Sequence, residues 1–212
     1  MSYHKYDIKQ TDMNREYTVG EPVLKFWSNA GQNLNLYKLS NFQYIEGGIK
    51  PFDDKLLFAS TEHAFQSRKY VEKDRIRFSI DGDLGNIDGF KLVFKEKEYE
   101  KKRDFWMKKG NIGVEAKMAT NEKLGKKLGL ERNPDFVSTE ELWTQILMCK
   151  YRKEEFKQLL KSTEDMYLLE FDRMAYHRFG VSPAFWGGNI IDNKLWGENQ
   201  MGKYLMHVRE LI

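Results

Sequence analysis

One domain that mixes several helices with a few short strands is the class the sequence predicts. Three observations carry it. The 212 residues suffice for one full-sized core. Capped stretches with helical spacing, around Ser60–Tyr70 and Thr139–Leu160, stand beside short apolar runs bounded by turn-forming residues, such as Val23–Trp27 and Met166–Phe171. No internal repeat, low-complexity tract or linker divides the chain.

Residues 1–22 are polar without sustained periodicity and read as an irregular lead-in to a domain spanning 23–212. Val23–Trp27 is a strand candidate that stops at the turn-forming cluster Ser28-Asn29-Ala30-Gly31. Leu34–Leu39 reads as a second strand or a helical turn. Gln43–Glu46 and Lys55–Phe58 read as two strands of a hairpin-like unit around Gly47-Gly48. At Ser60 or Thr61 a hydroxyl can accept from a free amide of a first helical turn, and Glu62 there is favoured by the helix dipole. Phe90–Lys109 reads as a charged helix ended by Gly110, and Ile112–Leu128 as another ended by Gly129. Ser138-Thr139-Glu140-Glu141 has capping-box spacing, followed at near-helical steps by Leu142, Ile146, Cys149, Phe156 and Leu160. Met166–Phe171 reads as strand, Ala184–Gly188 as an aromatic and glycine-rich loop, and Gly197–Glu210 as a closing helix.

Composition narrows the chemistry. Cys149 is the only cysteine, which excludes an intramolecular disulfide and a multi-cysteine zinc site and suits a reducing, cytoplasmic setting. Its helical register makes it a small buried hydrophobe rather than a nucleophile. The four histidines lack the spacing of a helical zinc pair, so neither metal nor cofactor is expected. Gly197–Gly202 lacks the lysine and hydroxyl ending of a phosphate-binding P-loop. A net charge of +3 permits a phosphate-bearing ligand without demanding a nucleic-acid groove. No apolar stretch suits a signal peptide or a membrane span.

The chemistry concentrates at Thr61–Tyr70. On a helix, Glu62, Gln66 and Lys69 fall on one face, placing a carboxylate, an amide and an amine together. That spacing also describes an ordinary solvated face; Glu62-His63 at a helix start, where anions bind, favours a site. Asn41 and Asn199 read as ligand amides or as turn caps, and Trp186-Gly187 as a stacking platform or a buried Trp beside a tight turn.

Three segments in order, Ser40-Asn41-Phe42, Thr61–Tyr70 and Gly197–Arg209, resemble the NADAR family, also called YbiA-like. Lys150-Tyr151, Leu168-Leu169-Glu170 and Phe185-Trp186-Gly187 are similar to its pattern, and the resemblance runs from about Phe26 to the C-terminus. It implies a single compact, mainly helical α+β domain with a small β-sheet, carrying an insertion around 72–112. It also implies an N-glycosidase, a hydrolase of N-glycosidic bonds in ribose phosphates. The substrates it points to are riboflavin-pathway intermediates or ADP-ribose on guanine; in the latter case nucleic acid becomes a partner. For such a reaction the expected catalytic residues are Glu62, as the carboxylate near ribose C1, and Lys69, which either contacts a phosphate or, if neutral, attacks the anomeric carbon to form a Schiff base. Substrate-binding falls to Asn41, Phe42, His63, Gln66, Phe136, Glu170, Trp186, Gly187, Asn199, Gly202 and Arg209, the last pairing with Glu170 or a phosphate.

Two departures stand out. The family carries an acidic residue three places before its Trp-Gly pair, and this chain has Pro183 there. Asp172, which would share a strand face with Glu170, is the replacement expected on the lengthened 172–182 connection. Phe136 stands where the family has a Trp, keeping a ring but losing the indole donor. Loss of the acid also supports an alternative: a catalytically inactive module that binds ADP-ribose or a nucleotide.

Overall fold

Ser60 starts the helix that the sequence places after it. In the computed structural model, which describes residues 15–28, 35–86, 89–108, 110–178 and 184–212, its hydroxyl accepts from His63 N at 3.3 Å and caps α1, Thr61–Arg68. Seven of the eight residues of α1 are buried, most of them polar. A helix buried all round must satisfy its polar side chains internally. Thr61 Oγ1 donates to the Asn41 carbonyl, Ser67 Oγ to Ala64 O, and Gln66 to Glu62.

Two compact units make up the chain. One is Phe26–Ser162; the other joins Met1–Lys25 to Thr163–Ile212.

The first unit is helical. After a 3-10 turn at Leu36–Leu39, the Gln43–Phe58 stretch makes one antiparallel bridge, Ile49 with Phe58, rather than the expected hairpin ladder. Gly47, Gly48 and Lys55 all take positive φ there, so no extended run can form. Beyond α1 come α2 (Glu72–Arg75), α3 (Gly89–Val93), α4 (Glu96–Met107), α5 (Gly113–Ala119), α6 (Glu122–Lys127), α7 (Glu140–Tyr151) and α8 (Glu154–Lys161).

Three helices read as continuous are in fact broken. Lys95 is extended and separates α3 from α4, which lets Phe90, Phe94, Tyr99, Trp106 and Met107 pack on one cluster with Ile112 and Ala59. Those aromatics make no single stripe on a straight helix, so the break is what buries them. Asn121 caps α6 by accepting from Lys123 N and ends α5 before it. Lys153, also extended, separates α7 from α8.

Helix α1 packs against α5 and α7. Phe65 stacks on Trp143 of α7 with centroids 4.2 Å apart, and Phe136 meets Phe65 edge-on at 5.9 Å. Burying rings of this size stabilises a fold by about 1.5–3 kcal/mol each. Thr139 caps α7, accepting from Leu142 N at 3.2 Å. Cys149 on α7 is half-buried and contacts the Lys50 carbonyl.

The second unit holds β1 (Val23–Phe26) up to Lys25, β2 (Tyr167–Glu170), β3 (Asn189–Ile191) and β4 (Lys194–Trp196), with helices α9 (Ala175–Arg178) and α10 (Gln200–Leu211). β1 pairs with β2, and β3 forms an antiparallel hairpin with β4. Helix α10 packs on β2. The architecture is mainly helical α+β. No helix among the described residues is long and apolar enough to cross a membrane.

Candidate functional site

Glu62, Gln66 and Lys69 lie together on α1 and its C-terminal cap. Gln66 Nε2 donates to Glu62 Oε1 at 2.6 Å, so the amide one turn on fixes the carboxylate. Glu62 itself is 5% exposed. Lys117 of α5 brings its ammonium to 3.9 Å from the same Glu62 oxygen. The Gln66 amide oxygen is buried with no hydrogen-bond partner among the described residues. A buried acceptor left unpaired costs about 1–3 kcal/mol, a cost that a ligand donor would remove.

Lys69 stands on an aromatic floor. Its Nζ lies 4.6 Å from the Phe65 centroid, and Phe65 rests in turn on Trp143 and Phe136. Desolvation there lowers its pKa from 10.5 to about 8; Lys117 and Arg132 push the same way and Glu62 opposes them. The backbone is held too, since Lys69 O accepts from Asn133 N at 2.9 Å and Tyr70 bridges to Arg132. The Arg132 guanidinium stacks 4.9 Å over the Tyr70 ring and donates to Thr120 O at 2.9 Å. Carboxylate, partly neutral amine and two further cations therefore share one surface. Such a set can stabilise a developing positive charge, supply a nucleophile and attract an anion.

His63 points into the core. Its Nδ1 meets Ser60 Oγ at 2.8 Å and its Nε2 meets Glu115 Oε1 at 2.9 Å, with His63 and Glu115 both fully buried. Both ring nitrogens are spent on protein groups, which ties α1 to α5. Burial raises the Glu115 pKa, and the neighbouring His63 opposes that shift. Asn41 is buried; its Oδ1 accepts from Thr61 Oγ1 and its carbonyl from Glu62 N, so it holds the start of α1. Phe42 is half-buried and its carbonyl accepts from Gly113 N. Phe136 is half-buried against Phe65.

The remaining sequence candidates belong to the other unit. Asn199 clamps β2, donating to Leu168 O at 2.8 Å and accepting from Glu170 N at 2.9 Å, while its own φ is left-handed at 51°. Gly202 and Gly187 are required by close packing: a Cβ would sit 2.1 Å from Leu168 O and 2.4 Å from Glu170 O respectively. Trp186 is half-buried, edge-on to Phe185. Arg209 donates to Thr163 Oγ1 at 2.8 Å and Met166 O at 3.0 Å. Asp172 closes a turn by accepting from Met174 N at 2.9 Å, and its N–H donates to the Gly188 carbonyl. Glu170 is half-buried at the end of β2. Pro183 lies outside the described residues.

No family model and no curated protein matches the chain. Among solved structures, the NMR structure of the E. coli protein YbiA matches 94% of this chain and 89% of that one. The TM-score is 0.50 at 20% identity. The chain has a YbiA-like fold.

Within this YbiA-like fold, sequence reasoning missed Lys117, Arg132 and Glu115. Lys117 and Glu115 belong to α5, far along the chain from α1, and no local spacing joins them to Glu62 and His63. Arg132, in the Leu128–Thr139 connection, carried no motif at all. Among the described residues no group of three His, Cys, Asp or Glu could hold a metal ion.

Proposed function

We propose that the chain is an NADAR-family N-glycosidase that hydrolyses the bond between ribose C1 and a base nitrogen in a phosphate-bearing ribose derivative. The observation that carries this reading is the Glu62–Lys69 arrangement: a buried carboxylate fixed by Gln66, beside an amine whose pKa is lowered to about 8. A binding pocket for an anionic sugar phosphate gains nothing from a buried carboxylate. A reaction that builds positive charge at C1 does.

In the covalent route, the neutral Lys69 Nζ attacks C1 as the bond to the base nitrogen breaks. The electron pair of that bond goes to the departing nitrogen, which takes up a proton as Lys69 sheds one. The ring then opens, its oxygen becoming a hydroxyl, to leave an imine between Lys69 and the sugar. Water adds to the imine carbon, the amine leaves, and the sugar recloses. Glu62 faces the charge that grows at C1 and can relay the proton. The net change is base plus ribose phosphate from substrate plus water. The sequence resemblance points to two substrates, a ribosylated pyrimidine phosphate of riboflavin biosynthesis and ADP-ribosyl guanine.

Borohydride trapping with a ribosylated pyrimidine phosphate and with ADP-ribosyl guanosine tests the covalent route. Reduced adduct on Lys69, absent from Lys69→Met, is expected. Base release with no adduct on any lysine would remove the covalent step and leave Lys69 as a phosphate contact.

A further inference from the structure

We infer that Lys117 is a positioning residue for this reaction: its ammonium engages the Glu62 carboxylate from α5 and so leaves the Lys69 amine free to attack. The inference rests on the reading of Lys69 as the nucleophile and adds a residue on another helix.

The geometry begins four residues before Lys117. Gly113, one turn earlier on the same face of α5, packs so close to α1 that a Cβ would come within 2.9 Å of Glu62 Cβ and 2.7 Å of Ser60 Oγ. Gly113 N also donates to Phe42 O at 3.0 Å. Glu115 on α5 holds His63 on α1 through a fully buried contact of 2.9 Å. These two attachments fix the register of α5 on α1, and Lys117 Nζ reaches 3.9 Å from Glu62 Oε1 as a result. The Lys117 side chain is 50% exposed, so it acts through its field rather than through a desolvated bond.

The charged groups facing Lys69 are Glu62 from α1, Lys117 from α5 and Arg132 from the segment after α6; α7 presents Trp143 beneath Phe65. Glu62 favours the ammonium form of Lys69, the state that cannot attack. A second cation on that carboxylate offsets this pull. Lys117 therefore offsets the pull that the Glu62 carboxylate exerts on the neighbouring amine.

Competitive acetylation of the intact protein, with Lys69 modification read by peptide mass spectrometry across the neutral to alkaline range, tests this without substrate. In the wild type the Lys69 titration midpoint is expected near the lowered value of about 8. Lys117→Met should move it upward, lowering Lys69 acetylation at neutral pH by roughly threefold or more. Lys117→Arg should keep the wild-type midpoint. The substituted side chain is half-exposed, and a thermal melt confirms the fold of both variants. An unmoved midpoint in Lys117→Met overturns the inference, as does an equal upward shift in both variants, because charge would then not be the cause. Wild-type-like titration with no base released from any substrate counts instead against the N-glycosidase reading.

Discussion

Gln66 Nε2 donates to Glu62 Oε1 at 2.6 Å across one turn of α1. That bond pins the carboxylate in a single orientation inside a protein surround, with little reorganisation left for the moment when charge develops at C1. Glu62→Gln removes the charge at nearly constant shape. Turnover should fall by about 10²–10³-fold, the scale of losing one electrostatic contact in a site of this type. Steady-state product assays beside a circular dichroism spectrum check it; a near wild-type rate removes Glu62 from the chemistry.

Rate should climb with pH through the Lys69 titration. An amine attacks only when deprotonated, and burial has moved its midpoint from 10.5 down to about 8. The ascending limb of kcat/KM is therefore expected near that lowered value. A phosphate-holding ammonium predicts the opposite sign, with kcat/KM falling as Lys69 loses its proton. The pH profile distinguishes the two roles without trapping.

Lys150 ties α7 to the chain that carries Asn41. Its Nζ is fully buried and donates to the carbonyls of Lys38, at 2.7 Å, and Ser40, at 2.9 Å. Burial depresses its pKa to about 7, with the Glu155 carboxylate opposing that shift. Lys150→Met takes a buried donor from both carbonyls, leaving Ser40 O only its bond from Gln43 N, and should cost about 2–4 kcal/mol in denaturant unfolding. A change within experimental error would show that water or rearrangement replaces the ammonium.

Gly202→Ala should destabilise by at least ~2 kcal/mol, because the new methyl meets the Leu168 carbonyl at 2.1 Å and α10 must move off β2. A thermal melt reads the loss. An unchanged melting temperature would mean that α10 shifts along β2 at no cost.

Sequence signals located the parts of the fold that are decided locally. Ser60 and Glu62 marked the start of α1, Thr139 the start of α7, and the apolar run at Tyr167–Glu170 the strand β2. The breaks at Lys95 and Lys153 escaped because neither carries Gly or Pro; tertiary packing of the aromatics on both sides decides them. The β3–β4 hairpin had a signal that went unused, Asp192-Asn193, both of which take positive φ in a two-residue turn. At the site, helical spacing placed Glu62, Gln66 and Lys69 on one face. It could not tell that His63, adjacent to Glu62, turns inward to Glu115, since its partner lies on another helix.

The most direct test of the central claim is base release, followed by mass spectrometry, when the purified wild type and Glu62→Gln meet ribosylated pyrimidine phosphate, NAD, ADP-ribose and ADP-ribosyl guanine. Free base is expected from at least one of these with the wild type, and its loss in Glu62→Gln. Tight binding with no base released from any of them, or equal release by both proteins, would contradict it.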